Sequence, residues 1–524
     1  MLVIRGREVV YRSPDGRRPL GRDDRAEDRA AEDRVARDRA SVWTALDPED
    51  WEALRRLGHR MVDDIVEHLA TLEHQPVWRP VPPEARAALQ APMPVEPEGA
   101  AAAYDDFRRY VQPYPRGNLH PAFWGWVNGS GLPLGMLADL LASAMNPSVG
   151  AFENAASLVE EQVLTWLKQM LDFDPGYSAV LTSGSSMSTV IGLATARVAA
   201  GGAEVRRVGL AGLGRPLVSY TSTEAHSSVE KAFELLGFGL ESVRRVPVDE
   251  DYRIDVAALD RLVAADVRSG LRPMAVVAHA GTVNTGAVDD LDAVADLCRD
   301  HDLWLHVDGA FGALAWLVPE LRPRLAGLQR ADSLAFDLHK WLYLPYDVGC
   351  VFVRDAAVHR AAFTTNHDYV DSMARWGMPA TGFADLGLEM TRRFRALKVW
   401  LCLKAHGVAV FSEHIRANVL QARVLAERVA SSRNLHLAAP VALNVVCFRF
   451  DHPALDPADA DRVNERILTE LWSSGLAVIS DTRLAGRLVL RVAVTNHRSR
   501  QEDFDALLSA VEEIGGNCLD ERHR

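Results

Sequence analysis

The sequence predicts an α/β protein whose core is a mostly parallel sheet covered by helices on both faces. Between about residues 131 and 404, short runs rich in Val, Leu and Ala alternate with longer segments whose apolar residues recur at helical spacing. Residues with reactive side chains follow several of the short runs, where ligands bind in open parallel sheets. A length of 524 residues and a hydrophobic content of 48% allow a large core with two or three domains.

The N-terminal part of the chain precedes this alternation and is predicted to contain two segments. Residues 1–46 include a run of Asp, Glu and Arg without apolar periodicity, which predicts a disordered or exposed charged tail. Residues 47–130 begin with Asp47-Pro48, a helix start signal, and we expect that helix to end before Pro76. The proline-rich residues 75–97 predict an extended connector across the surface or a partner subunit.

The sheet-forming part is predicted to be a large domain, residues 131–406, followed by a smaller α+β domain, residues 407–524. In the large domain, strands are predicted within YSAVL, PLVSYTS, PMAVVAHAG, LWLHV, SLAFDLH and GCVFVRD. In the smaller domain, strands are predicted within VALNVVCFRFD, LAVIS and RLVLRVAVT, with helices over residues 458–474 and 501–514.

Composition and charge exclude several classes of protein. A net charge of -13, without a stripe of Lys and Arg, argues against nucleic acid as a partner. The five cysteines are scattered and form no C-x-x-C pair, which argues against a metal site or a disulfide framework and predicts a reducing, cytoplasmic location. No run of about 18 apolar residues occurs, so neither a membrane span nor a signal peptide is predicted.

Lys340 is the first candidate functional residue. It is one of only five lysines in the chain, and it lies between the strand-like SLAFDLH and the apolar WLYLP. An ammonium group is unfavourable in such surroundings unless it is ion-paired or has a chemical function. For a lone lysine at a strand end, a structural ion pair is the more common explanation. Groups at the neighbouring strand ends favour a chemical function.

Three other strand ends carry groups that complement a lysine. Asp308 follows LWLHV and could cap a helix, stabilise a turn, hold a metal or pair with a protonated pyridine nitrogen. Residues 182–186 (TSGSS) precede a helix start, where the helix dipole favours phosphate, although serines there are usually N-caps. His226 follows PLVSYTS, and a single histidine is usually a cap or a core residue. Together with Lys340, these groups indicate one cofactor site.

These segments resemble the pyridoxal 5'-phosphate (PLP)-dependent group II amino-acid decarboxylases, which include aromatic L-amino-acid, histidine, tyrosine and glutamate decarboxylases. The resemblance extends from about residue 47 to residue 515. It rests on AHSSVEKA, HVDGAFGA, DLHKWL, RRFRALKVW and LRVAVTNHR, which occur in the family's order, and on the substrate-side segment HPAFWGWVNGSGLPLGMLAD. It implies the fold type I (aspartate aminotransferase-like) architecture: a mostly parallel seven-stranded sheet, a smaller C-terminal α+β domain and an N-terminal helical segment that clasps the partner in a homodimer.

The resemblance also implies a role for each site residue. Lys340 would form a Schiff base with PLP, His226 would stack on the pyridine ring and Asp308 would bind the ring nitrogen. Further cofactor contacts would come from Ser185 and Ser186 at the phosphate, Ala310 under the ring, and Thr282 and His339 along the site.

Two features depart from the family pattern. Asp337-Leu338 stands where many relatives have Asn-Pro, and an ionised Asp there would repel the phosphate. The catalytic loop is expected near residues 366–388, where Tyr369 is the only tyrosine that could protonate the substrate carbon. Phe383 is the alternative occupant of that position, and family members with Phe there behave as aldehyde synthases.

The function predicted from this resemblance is PLP-dependent decarboxylation of an L-amino acid, with an aromatic substrate favoured, to the amine and CO2. An aromatic aldehyde synthase is one alternative, and an aminotransferase, which shares the fold, is another. A degenerate homologue that only binds a partner is a non-enzymatic alternative. The intact set of Lys340, Asp308 and His226 argues against it.

Substrate contacts are predicted from the aromatic residues of the substrate-side segment. Trp124 and Trp126 follow His120-Pro121 and are candidates for an aromatic pocket, with packing in the core or at an interface as the alternative. Arg395 and Arg491 could bind a second substrate carboxylate, but both suit structural ion pairs equally well.

Overall fold

The structure is a computed structural model that describes residues 46–150, 153–365 and 382–522. The chain divides into two units, Met1–Ile65 and Val66–Arg524. In the first unit, the described residues begin helix α1, Trp51–Ala70, which is the predicted helix ahead of Pro76. The predicted charged tail, residues 1–46, lies outside the described residues apart from Leu46.

The proline-rich connector contains a helix that the sequence prediction lacks. After a 3-10 turn at Leu72–His74, helix α2 spans Pro83–Ala88 with Pro83 at its first position. Proline suits that position because its φ is already helical and its missing N–H would have no partner within the helix. Helix α3, Ala100–Asp106, continues into a π-helical turn, Phe107–Val111.

A seven-stranded sheet forms the centre of the second unit. Its strands are β1 Ser178–Thr182, β2 Leu217–Ser222, β3 Val243–Val246, β4 Arg272–His279, β5 Trp304–Asp308, β6 Ser333–Asp337 and β7 Gly349–Val353. The order is β1-β7-β6-β5-β4-β2-β3. Neighbouring strands are parallel, except that β7 is antiparallel to both β1 and β6. The predicted mostly parallel sheet is therefore confirmed.

Helices connect and cover these strands on both faces. They are α4 Pro133–Met145, α5 Ala155–Met170, α6 Ser185–Gly201, α7 Val205–Val208, α8 Ser227–Leu235, α9 Val256–Arg268, α10 Leu291–Asp300, α11 Leu338–Trp341 and α12 Ala356–Phe363. Short 3-10 turns lie at Leu210–Gly212, Leu240–Ser242, Gly312–Leu317, Pro319–Leu325, Leu328–Arg330 and Phe383–Leu386. Every residue of β2, β6 and β7 is buried, as is typical of a sheet covered on both faces.

Helix α13, Ala396–Ser431, leads from the sheet to the C-terminal part of the chain. In the sequence, helical spacing of apolar residues is evident only over its first part, residues 397–406. The helix is interrupted at Gly407, whose φ of 73° lies in the region that favours glycine. The predicted boundary between the two domains falls at this kink, and the boundary itself stays a prediction.

A four-stranded antiparallel sheet follows α13. Its strands are β8 Leu435–Leu437, β9 Val445–Phe450, β10 Ser480–Leu484 and β11 Arg487–Ala493, in the order β10-β11-β9-β8. Helices α14, Pro457–Ser474, and α15, Gln501–Arg522, accompany it. The sequence therefore predicts α15 too short at its C-terminal end.

The sequence pattern does not predict three of the strands correctly. β3 reads VRRV and lies at the sheet edge, and β8 has only three residues, so neither shows a run of apolar residues. β10 starts at Ser480, where the predicted strand LAVIS ends. Within LAVIS, Val478 forms only an isolated bridge to Phe123.

A buried ion pair holds β1 to the surrounding helices. Arg392 donates to the carboxylate of Glu160 on α5 and to the backbone carbonyls of Leu181 and Val149, each at 2.8 Å. Neither side chain is more than 2% exposed. A charge buried this deeply is stable only with its partner in place.

We expect Arg392→Met to lower the free energy of unfolding by about 3–5 kcal/mol, because the Glu160 carboxylate would remain buried without its cation. Arg393→Met is the matched control, since its side chain is 70% exposed and its ion pair with Asp347 spans 4.0 Å. We expect that control to change stability by no more than about 0.5 kcal/mol. Denaturant unfolding measures both values, and equal losses would contradict the importance of the pair.

The described residues also bear on cysteine chemistry and on membrane insertion. All five cysteines are free and buried. Within the described ranges, no helix has the length and apolar character needed to cross a membrane.

Candidate active site

A cavity of about 390 Å³ lies at the carboxyl ends of the central strands. Parallel strands bring their ends to one edge of the sheet, so groups distant in sequence meet there. The polar lining consists of Ser183, Ser185, Ser186, His226, Ser228, His279, Asp308, Asp337, His339, Lys340 and Tyr346. The remaining lining residues are Trp126, Val127, Gly184, Met187, Gly281, Val283, Ala310 and Phe311.

Lys340 reaches this cavity from the short helix α11. That helix lies in the connection between β6 and β7, which pair in antiparallel register. Its Nζ atom lies 2.9 Å from Oδ2 of Asp337. Burial alone would lower the pKa of Lys340, but the Asp337 carboxylate, with a smaller contribution from Asp308, outweighs burial and raises it. Asp337 therefore holds the side chain as an ammonium ion.

Asp337 also contacts the start of helix α6. Its Oδ1 atom accepts a hydrogen bond from the Ser185 N–H at 2.6 Å, and Nε2 of His339 lies 3.7 Å from Oδ2. Burial would raise the pKa of Asp337, but the positive charge of Lys340, with help from His339, holds it below its ordinary value. An ionised carboxylate thus joins the lysine to the N-terminus of α6.

Asp308 ends β5 and is only 5% exposed. Its Oδ1 atom accepts a hydrogen bond from the Ala310 N–H at 3.0 Å, which fixes the carboxylate in the turn after the strand. Ala310 lines the cavity beside it. The structure thus places Asp308 and Ala310 in one cavity with Lys340, and their roles toward a cofactor stay predictions.

His226 is the N-cap of helix α8 and borders the same cavity. Its Nδ1 atom accepts from the Ser228 N–H at 3.1 Å and lies 2.7 Å from the Ser228 hydroxyl. Because Nδ1 is occupied in this way, the ring face and Nε2 are left for a ligand. Partial burial lowers the pKa of His226, although Asp308 opposes this effect, so the imidazole is neutral at physiological pH.

The N-terminus of helix α6 supplies the anion-binding feature of the cavity. Ser185 and Ser186 are its first residues, and Gly184 before them has a φ of 158°. The buried Ser185 hydroxyl has no hydrogen-bond partner among the described residues. A helix N-terminus with an unsatisfied hydroxyl is suited to a phosphate group.

His279 is a cavity residue that the sequence did not reveal. It ends β4 in register with Asp308, and its Nδ1 lies 3.3 Å from the buried Asp289 carboxylate. Burial would lower the pKa of His279, but the contact with Asp289 outweighs burial and raises it. Its buried Nε2 has no partner within the part of the chain that the structure describes. The only signal for His279 in the sequence is its position two residues before Gly281, which lies in a turn.

Two aromatic side chains, Trp126 and Tyr346, also line the cavity. Trp126 is 43% exposed, has a positive φ of 56°, and carries the Arg116 guanidinium 4.7 Å above its ring. Tyr346, also not predicted, accepts from the Gly129 N–H at 3.2 Å and donates to Oδ1 of Asn128 at 3.1 Å. The cavity can therefore accept a flat apolar group beside its charged centre.

Two predicted site residues, Trp124 and Thr282, do not line the cavity. Trp124 is 1% exposed, stacks on Phe504 at 4.7 Å between ring centroids and donates to the Ser499 hydroxyl, so its prediction as a substrate contact is wrong. Thr282 is fully buried, and its hydroxyl accepts from the Ala287 N–H at 3.1 Å. It shapes the turn instead of lining the cavity, because its neighbours Gly281 and Val283 take that place.

The residues proposed for the catalytic loop are only partly described. Tyr369 lies outside the described residues. Phe383 is buried in the main core, with the Arg392 guanidinium 5.0 Å from its ring centroid, and it does not line the cavity. Within this chain, Phe383 is therefore a packing residue, and its correspondence to the family's catalytic tyrosine stays a prediction.

The two arginines considered for a substrate carboxylate have structural partners. Arg395 is ion-paired with Glu389 at 2.6 Å and with Asp347 at 3.3 Å. Arg491 donates to the carbonyls of Val283 and Asn284, and burial lowers its pKa to about 10. Arg491 thus holds the loop at the cavity edge.

Comparison with known proteins decides the family. The family model described as the pyridoxal-dependent decarboxylase conserved domain matches residues 82–451. The chain belongs to this family. It is 33% identical to an aromatic-L-amino-acid decarboxylase of Bacillus atrophaeus, over 88% of this chain and 95% of that protein. It is 29% identical to a phenylacetaldehyde synthase of a Rosa hybrid cultivar, over 86% and 91% respectively.

Solved structures agree with this assignment. A crystal structure of Oryza sativa TDC with PLP and tryptamine matches with a TM-score of 0.83 at 30% identity, covering 90% of this chain and 99% of that chain. The protein is therefore a PLP-dependent amino-acid decarboxylase with the fold type I architecture. The cavity fits PLP, since the unsatisfied Ser185 hydroxyl at a helix N-terminus suits the phosphate and the Lys340 amine suits the aldehyde.

Gly129 packs against the backbone that precedes Lys340, and this close approach gives a prediction. A Cβ atom at residue 129 would stand 1.6 Å from the His339 carbonyl oxygen. We expect Gly129→Ala to displace α11 and to weaken PLP binding about tenfold or more, since that loss needs only about 1.4 kcal/mol. Gly516→Ala is the control, because a Cβ atom there meets nothing within 4 Å. Quenching of tryptophan fluorescence measures PLP affinity, and an unchanged value in Gly129→Ala would contradict the prediction.

Proposed function

We propose that the protein decarboxylates an L-amino acid, preferably an aromatic one, to the corresponding amine and CO2. The observation that carries the proposal is that Lys340, Asp308 and His226 line one cavity at the N-terminus of α6. An amine, a carboxylate, a flat ring and an anion-binding helix end complement the aldehyde, ring nitrogen, ring face and phosphate of PLP. The homologous decarboxylase from Bacillus atrophaeus supports an aromatic substrate.

The charged residues of the cavity have separate roles in binding the cofactor and in keeping it protonated. Bound PLP supplies an electron sink for the electron pair left at Cα when CO2 departs. Lys340 is the attachment point, and the Asp337 carboxylate, 2.9 Å from its Nζ atom, positions the lysine side chain in the cavity. Asp308, held by the Ala310 N–H, presents a carboxylate that keeps the ring nitrogen protonated.

Neighbouring side chains orient the cofactor and return a proton. His226 offers a neutral ring face from one side, Ala310 packs from the other, and Ser185 and Ser186 bind the phosphate. His339 lines the same cavity as Lys340. The proton for the substrate carbon comes either from a loop residue, for which Tyr369 is the candidate, or through His226.

Trp126 supports the preference for an aromatic substrate. A tryptophan with positive φ is strained, and such strain persists where the surroundings fix a side chain in place. The Trp472 ring packs nearly perpendicular to it at 5.8 Å between ring centroids, and Arg116 covers one face. The exposed part of this ring borders the cavity and offers stacking to an aromatic side chain.

We also propose that the protein works as a homodimer, as the resemblance implies. Leu140, Leu141 and Met145 on α4 are each more than half exposed, and so are Leu388 and Met390. Exposed apolar side chains at this density mark surfaces that bind another protein. Light scattering on the purified protein tests this proposal, which fails if the mass is that of one chain.

We also propose that the protein is located in the cytoplasm. It rests on the five cysteines, which are all free. Fractionation of cells that express the protein tests it, and recovery outside the cytoplasm would oppose it.

An aldehyde synthase is the second candidate function. The 29% identity to phenylacetaldehyde synthase supports it, because both activities occur within this group of relatives. Phe383 adds no support to it, because Phe383 packs against Arg392 and does not line the cavity of its own chain. Product analysis separates the two candidates.

We expect Lys340→Ala to lose the visible absorbance of bound PLP and to lower kcat at least about 100-fold, because both attachment and proton transfer depend on this amine. Lys404→Ala is the matched control, since its ammonium lies 4.3 Å from the Trp400 ring centroid and outside the cavity. Borohydride reduction followed by peptide mass spectrometry locates the modified lysine. A label on a lysine other than Lys340 would overturn the assignment.

We expect Trp, Tyr or Phe to give CO2 and amine with the highest kcat/KM in a panel of amino acids. Trp126→Ala should lower that value for the aromatic substrates about tenfold through the loss of an aromatic contact. Trp316→Ala is the control, because its indole binds Asp172 away from the cavity. Aldehyde, ammonia and peroxide would identify an aldehyde synthase instead, and a 2-oxo acid that requires an acceptor would identify an aminotransferase.

A further inference from the structure

The carboxylate of Asp337 contacts the helix N-terminus at which the cofactor's phosphate is expected to bind. One oxygen accepts from the Ser185 N–H at 2.6 Å, and the other lies 2.9 Å from the Lys340 ammonium. The space around the first oxygen is tight, since a Cβ atom on Gly349 would stand 2.8 Å from it. Asp337 is 2% exposed, so bulk water does not screen its charge.

The Ser185 N–H group belongs to an anion-binding site that contains a second hydrogen-bond donor. Helix α6 is 17 residues long, and its N-terminus carries the positive end of the helix dipole. The Ser185 hydroxyl, in a residue only 6% exposed, has no partner among the described residues and lines the cavity. This terminus therefore offers donors to an external anion while Asp337 already uses one of them.

We propose that Asp337 competes with the phosphate of PLP for the N-terminus of α6, so that binding displaces one carboxylate oxygen and leaves two anions side by side. The inference rests on the proposed placement of the phosphate at Ser185 and Ser186. Its consequence is that this protein discriminates less strongly between PLP and pyridoxal, which lacks the phosphate, than it would with a neutral residue at position 337. Cofactor occupancy then depends on the supply of PLP.

Asp337 also affects Lys340, and that effect must be separated from competition for the helix terminus. Removing the carboxylate frees the amine from its ion pair and changes its reaction with any aldehyde. That change acts on PLP and pyridoxal alike, because both carry the aldehyde. A change in the ratio of their two affinities reports only on the phosphate.

The test measures the dissociation constants of PLP and of pyridoxal on cofactor-free protein, by equilibrium dialysis, in the wild type and in Asp337→Asn. The Asn side chain keeps an oxygen for the Ser185 N–H and removes the charge. We expect the constant for PLP to fall about tenfold more than the constant for pyridoxal, because charge repulsion in a buried site is of that order or larger. Asp337→Ser, which also removes the charge, is the second variant should Asn disturb folding.

Asp332→Asn is the matched control, since Asp332 precedes the same strand but pairs with Arg354 at 3.0 Å, away from the cavity. We expect it to leave the ratio of the two constants unchanged. Equal shifts for PLP and pyridoxal in Asp337→Asn would overturn the inference, and so would weaker PLP binding in both position-337 variants. Borohydride labelling at Lys340 in the wild type shows separately whether the proposed function holds, so failure of the one is distinguishable from failure of the other.

Discussion

An ammonium group buried at the end of a sheet needs a carboxylate as its ion-pair partner, and the structure around Lys340 depends on that requirement. Asp337 satisfies it from within the same turn, 2.9 Å away. Because the carboxylate also binds the Ser185 N–H, it fixes the separation between the lysine and helix α6. The close contacts of Gly184 and Gly349 around Asp337 follow from the same need, since larger residues would push the carboxylate away.

The reversed direction of β7 places that turn at the centre of the site. β7 pairs with β1 on one side and with β6 on the other, and Gly349 is in register with both Thr182 and Asp337. The ends of β1 and β6 are therefore separated only by β7. His279 and Asp308, which end two adjacent parallel strands, complete the row of polar groups along the sheet edge.

The sequence predicts those parts of the molecule whose signal is local. Val-rich strands are predicted correctly because burial depends on a few adjacent residues, and Lys340, Asp308 and His226, which lie at or after strand ends, do line one cavity. β3 is missed because an edge strand with two arginines lacks that signal. Trp124 and Trp126 look equivalent in sequence, yet the positive φ at Trp126 turns the chain, so one ring enters the core and the other borders the cavity. The contact between Asp337 and Ser185 joins residues 152 positions apart, which no local pattern encodes.

That separation has a consequence for the order in which the molecule assembles. Asp337, Lys340 and Gly349 lie within one antiparallel connection, so their contacts close a short loop and form at little entropic expense. The Ser185 contact has to wait until β1 docks, which makes it a feature of the late, non-local stages of folding. A ligand that needs both groups binds the completed fold and not its precursors. Supply of PLP during synthesis should therefore raise the yield of folded protein by mass action, without acting as a template for the chain.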